Sequence, residues 1–101
     1  MYSFEKFLNS VKEKSQLEIY DATIQEYNRL EKQLINKQKR EQARQTGIDL
    51  YMKKLKGLMF FILNHHKPDS LSNYEFQLLK PLVQRFIDEK LYKPEAIKIF
   101  E

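Results

Sequence analysis

The stretch IDLYMKKLKGLMFFIL, residues 48–63, decides the fold of this chain. Ile48, Tyr51, Met52, Leu55, Leu58, Met59 and Ile62 keep the i, i+3, i+4, i+7 spacing that puts side chains on one face of an α-helix. Phe60, Phe61 and Leu63 add apolar surface to the remaining faces. A helix that is apolar most of the way round is enclosed on several sides, so this segment is expected to be the central element. Gly57 lies in its interior, where glycine costs about 1 kcal/mol relative to alanine. Close approach of a neighbouring helix is the expected compensation. Lys67-Pro68-Asp69 ends the segment, since proline has no amide to continue the ladder.

Upstream, Thr46-Gly47-Ile48-Asp49 reads as a cap. The Thr46 hydroxyl and Asp49 carboxylate can take free amides, and Gly47 supplies a permissive backbone. The preceding NKQKREQARQ, residues 36–45, has no apolar periodicity but holds nothing that breaks a helix. Before it, Leu17, Tyr20, Ile24, Tyr27 and Leu34 mark a seam, with Glu31 as a polar interruption and Leu30 beside it. The expectation is one long second helix over residues 16–45, opened near Ser15 and about 45 Å in length, whose basic end projects beyond the others. The alternative is a turn near Asn36, with the basic stretch opening the next helix.

At the N-terminus, Phe4, Phe7, Leu8 and Val11 form a short amphipathic helix with Ser3 as N-cap. Downstream, Ser72 and Glu75 match a capping box, and Phe76, Leu79, Leu82, Val83, Phe86 and Ile87 carry the apolar stripe. Pro81 within it either kinks one helix or occupies the first turn of a second. Pro94 starts a final short helix anchored by Ile97 and Phe100. No run alternates with period two, and no Asn-Gly or Asp-Gly turn is present. The fold class is all-α: a compact antiparallel bundle of four main helices, with a short fifth as a variant, in one domain over residues 1–101.

Composition narrows the function classes. At 101 residues and 42% hydrophobic, the chain is one globular domain rather than a disordered or low-complexity segment. The absence of cysteine excludes a disulfide scaffold, a thiolate zinc site and a cysteine nucleophile. Glu5, Lys6 and Lys12 interrupt the apolar run that a signal peptide needs. The longest apolar run, Leu58 to Leu63, falls far short of the about 20 residues that span a bilayer. The cytoplasm is the expected compartment.

The net charge of +4 is not spread evenly. Residues 1–36 hold five Lys/Arg against six Asp/Glu, and residues 57–101 hold six of each. Residues 37–56 hold seven, Lys37, Lys39, Arg40, Arg44, Lys53, Lys54 and Lys56, against Glu41 and Asp49. Lys37, Arg40 and Arg44 share a face by helical spacing, and a reversal near Gly47 brings the later lysines alongside. A charge run on a helix is commonly a solvated face, and cations near a helix C-terminus complement its dipole. As a binding surface, the sector suits an acidic protein or nucleic-acid phosphate. It offers two arginines and no recognition-helix context for base reading, and only Tyr51 for base stacking.

Catalytic constellations do not form. His65 and His66 are adjacent, hence about 100° apart on a helix, and no further Cys or His completes a metal site. They read as decoration of a helix C-terminus. Asp88 and Glu89 are neighbours rather than a facing pair. Tyr20, Tyr27, Tyr51, Tyr74 and Tyr92 read as core edges whose hydroxyls reach water. Serines 3, 10, 15, 70 and 72 sit near helix ends, where capping explains them. A chorismate-mutase-like helical enzyme would need an arginine early in its first helix, whereas none precedes Arg29. No motif identifies a family.

The reading is therefore a non-enzymatic module, with no catalytic residue, cofactor or metal. It would act as an adaptor, regulator or inhibitor and engage an acidic partner protein through the seven basic residues of 37–56. Phe60 and Phe61 form a candidate apolar interface, for a homodimer or for another protein's helix. Binding of nucleic acid without sequence preference, through the same basic sector, is the second reading.

Overall fold

The structure is a computed structural model that describes residues 2–34, 40–42 and 47–101. The described residues are helical, without strands: α1 (Phe4–Val11), α2 (Gln16–Gln33), α3 (Ile48–Asn64), α4 (Asn73–Gln77), α5 (Lys80–Asp88) and a 3-10 helix at Pro94–Phe100. Serine caps set the starts. The Ser3 hydroxyl accepts from the Lys6 amide. Ser15 with Glu18 and Ser72 with Glu75 form complete capping boxes that open α2 and α4. Gly47 precedes α3 at φ 82°, a left-handed conformation that glycine adopts without strain. Thr46, the other half of that expected cap, lies outside the described residues.

Proline settles the C-terminal third. Between α4 and α5, Pro81 stands in the first turn of the new helix, so the apolar stripe is carried by two short helices rather than one kinked helix. Pro94 likewise opens the 3-10 helix. Phe100 is stacked on Phe76 at 4.6 Å between ring centroids, and Phe61 of α3 meets both rings edge-on. This aromatic cluster pins the chain end to the core.

Two apolar clusters divide the interior. The larger joins α1, Ile19 of α2, the C-terminal half of α3, α4, α5 and the 3-10 helix. The smaller comprises Leu30, Leu34, Tyr51, Met52 and Leu55, flanked by Tyr2, Phe7, Tyr27 and Ile48. Ile19 thus shares one cluster with Leu58 and Ile62 while Leu30 shares the other with Tyr51 and Leu55, so α2 and α3 run antiparallel. The molecule measures 46 × 24 × 21 Å.

Four expectations change. The second helix does not continue to residue 45: it ends at Gln33, and Leu34 leaves helical geometry at ψ 41°. Arg40 then pairs with Glu31 at 3.7 Å. Nine residues of continuous helix would separate these two by about 14 Å on opposite faces, so no unbroken helix joins them. Leu34 is buried in one apolar cluster with Tyr51, Met52 and Leu55, and α2 ends where this burial begins.

The seam of α2 is also rotated. Its buried residues are Ile19, Thr23 and Leu30, whereas Leu17 is 77% exposed and Tyr20, Ile24 and Tyr27 are half-buried at the edge. At Gly57 the close neighbour is the loop after α3, not another helix, with Pro68 and Ser70 against the glycine. Finally, two tyrosine hydroxyls turn inward. Tyr51 donates to Glu26 at 2.9 Å, and Tyr92 donates to the Ile62 carbonyl at 2.9 Å.

Candidate partner-binding site

Of the seven basic residues in the 37–56 sector, Lys37, Lys39 and Arg44 lie outside the described residues. The other four separate into two kinds. Arg40, Lys53 and Lys56 converge on one open cleft of about 280 Å³ between α2 and α3, which Tyr27, Glu31, Leu34, Asp49 and Met52 complete. Lys53 and Lys56 are exposed, three residues apart and on one face of α3. Arg40 belongs to a described helical trio, Arg40–Gln42, and lies over Glu31.

Lys54 faces the other way. Its ammonium is 2.7 Å from the Glu75 carboxylate at the start of α4, and its side chain is only 19% exposed. Burial pushes the Glu75 carboxyl up, but the bond from Lys54 and the Ser72 amide outweigh it and hold the group below the usual carboxylate range. Lys54 is thus committed to a structural ion pair rather than to the cleft.

The cleft floor is fixed by the pairing of α2 with α3. Glu26 accepts from both the Tyr51 hydroxyl and the Arg29 guanidinium, the latter at 2.8 Å. Burial, followed by the Glu26 bond, raises the Tyr51 hydroxyl well above its ordinary value, so it stays a neutral donor. The Tyr2 ring packs on Tyr51 at 5.4 Å between centroids. Chemically, the cleft offers three cations interleaved with two carboxylates, over a floor of tyrosine, leucine and methionine.

Phe60 and Phe61 part company. Phe61 is 3% exposed and held in the aromatic cluster, so it presents no surface. Phe60 is 57% exposed and Leu63, one turn further on the same face, is 62% exposed. Leu63 belongs to the surface that sequence reasoning attributed to Phe61. The signal was present: Phe60 and Leu63 continue the step pattern of Lys53 and Lys56, whereas Phe61 continues that of Leu58.

His65 ends α3 at φ 59°, with its amide donating to the Phe61 carbonyl and its ring 4.1 Å from that of Tyr92. Among the described residues no group of three His, Cys, Asp or Glu could hold a metal ion. Nor is any described helix long and apolar enough to cross a membrane. No protein-family model, curated protein or solved structure matches the chain.

Proposed function

We propose that this chain is a small, non-enzymatic interaction module, an adaptor or inhibitor, that engages an acidic surface of a partner protein. The observation that carries the reading is the convergence of Arg40, Lys53 and Lys56 on one open cleft. Lys37, Lys39 and Arg44 extend the same sector in sequence. In this reading the four longest helices form an antiparallel bundle, and the basic end of the α2–α3 pair projects from it. The 46 Å long axis and the separate apolar cluster at that end support the arrangement. The interleaved Glu31 and Asp49 favour a partner with a few placed carboxylates over a continuous polyphosphate, which they would repel.

The test is capture from native extract by the tagged chain, with and without nuclease, beside the variant Arg40→Glu/Lys53→Glu/Lys56→Glu. A partner that survives nuclease and is lost by the variant, at unchanged helical circular dichroism, is the expected result. Equal capture by both chains would sink the proposal. Capture that nuclease abolishes would replace it with phosphate binding.

A further inference from the structure

The outer face of α3 carries more than charge. Lys53, Lys56, Phe60 and Leu63 follow steps of three, four and three, so they form one stripe, and all four are exposed. Half of the stripe is basic and half is apolar. Half-buried Met59 lies beside the apolar half, and Tyr27 with Glu31 from α2 borders the basic half. From Lys53 to Leu63 the stripe covers about 15 Å, or nearly three helical turns. Two large apolar side chains more than half exposed on consecutive turns, and continuous with a basic cleft, form a combined surface rather than scattered exposure.

We infer that this stripe seats an amphipathic helix of the partner protein. That helix carries aliphatic residues at one end of its contact face and carboxylates one to two turns further along. The inference rests on the acidic-partner reading and names the element that is bound. Charge complementarity selects the occupant. Aliphatic residues at i and i+3 or i+4 cover Phe60 and Leu63, and carboxylates one and two turns on meet Lys56 and Lys53. A second copy of this chain fits poorly. A two-fold axis across the stripe sets the basic half of one copy on the apolar half of the other and supplies no carboxylate to the lysines. A nucleic acid uses the lysines and leaves Phe60 and Leu63 uncovered.

The experiment uses the full chain and a fluorescein-labelled peptide of about 18 residues, long enough to cover the stripe with about a turn to spare at each end. Its leucines lie on one face of the first turns and its glutamates on the same face of the last. A control peptide of the same composition distributes them over all faces. Binding is read by anisotropy and mapped by amide chemical shifts. The expected result is binding that is at least about tenfold weaker for the control peptide, for Phe60→Ala/Leu63→Ala and for Lys53→Gln/Lys56→Gln, with shifts centred on residues 53–63. All four side chains are exposed, and circular dichroism checks that the variants fold.

Loss on the lysine pair alone, with Phe60→Ala/Leu63→Ala unchanged, overturns the helix assignment and leaves the acidic-partner reading standing. Indifference to both pairs overturns the two together. Failure of the ordered peptide to bind overturns the helix assignment. Tighter binding of a labelled oligothymidylate, with a steep salt slope, transfers the site to phosphate.

Discussion

Replacing Gly57 by alanine sets two effects of opposite sign against each other. In the interior of α3, alanine is favoured over glycine by about 1 kcal/mol because it loses less backbone entropy. The space is not there, however. A Cβ at Gly57 would lie 2.7 Å from the Ser70 hydroxyl oxygen and 2.8 Å from the Pro68 Cβ, against an ordinary contact of 3.4–4 Å. The Ser70 side chain can rotate, at the cost of its 3.1 Å bond to the Lys53 carbonyl. The Pro68 Cβ is part of a ring on the backbone and can retreat only if the loop moves. That loop is held by the Leu71 amide donating to the Pro68 carbonyl, by Lys67 donating to Asn73 and by the burial of Leu71.

Overpacking costs about 1–3 kcal/mol, and two contacts below 3 Å, one of them to a proline ring, put this site in the upper half of that range, so the steric effect exceeds the gain in propensity. Gly57→Ala is expected to destabilise the protein by about 1–2 kcal/mol, and to lower Tm by about 5–10 °C in a domain of this size. Urea melts followed by circular dichroism measure it. Gly57→Ala/Ser70→Ala should recover only part of the loss, because the Pro68 contact remains. A single variant as stable as the parent, or more so, would refute the reasoning, since propensity alone would then decide the sign.

Four further predictions follow from single contacts. The Arg85 guanidinium donates to the Lys12 and Lys14 carbonyls at 2.8 and 2.6 Å, closing the end of α1. Arg85→Ala should cost about 2 kcal/mol in urea melts, and Arg85→Lys should restore only part of it, since both bonds come from the outermost guanidinium nitrogen, which a shorter lysine chain does not reach. Tyr92→Phe leaves the buried Ile62 carbonyl without its hydroxyl donor and should cost about 1–2 kcal/mol by the same assay. Because the folded Glu75 carboxyl lies below its unfolded value, its contribution is complete above the unfolded value and is lost as pH falls through the folded one. Tm measured against pH should therefore show a shallower acid limb for Glu75→Gln, and an unaltered limb would refute the assignment. Thr23 is fully buried, and its hydroxyl donates back to the Ile19 carbonyl, which the helix ladder already serves. Thr23→Val should be neutral or stabilising by up to about 1 kcal/mol, and a loss larger than that would show that the hydroxyl is needed.

What the sequence made legible was local chemistry with one dominant cause. Ser3, Ser15 and Ser72 cap where their side chains can reach an amide three residues on, and Pro81 and Pro94 stand where a missing donor does no harm. The buried face of α2 was illegible because it runs Ile19, Thr23 and Leu30 with half-buried Glu26 between them, so two of these four residues are polar. Thr23 is satisfied within its own helix, and Glu26 by Tyr51, 25 residues away. Only the second of these depends on the tertiary fold, but both make the true seam look like surface. The tyrosine stripe beside it, more apolar in the letters, therefore looked like the seam.

In the candidate site, the confinement of charge to residues 37–56 could be read directly, whereas the departure of Lys54 toward Glu75 could not. The direction of each lysine decides what it requires. Lys53 and Lys56 point away from the core, keep their hydration and impose no demand on the fold. Lys54, between them in sequence but turned toward α4, loses much of its hydration and is accompanied by a carboxylate that is itself tied to a capping box. A basic run on a helix that packs along one side is therefore not one patch. It splits by helical angle into residues that hold the molecule together and residues left over for a partner, and only the second group can be reversed in charge without also removing a fold contact.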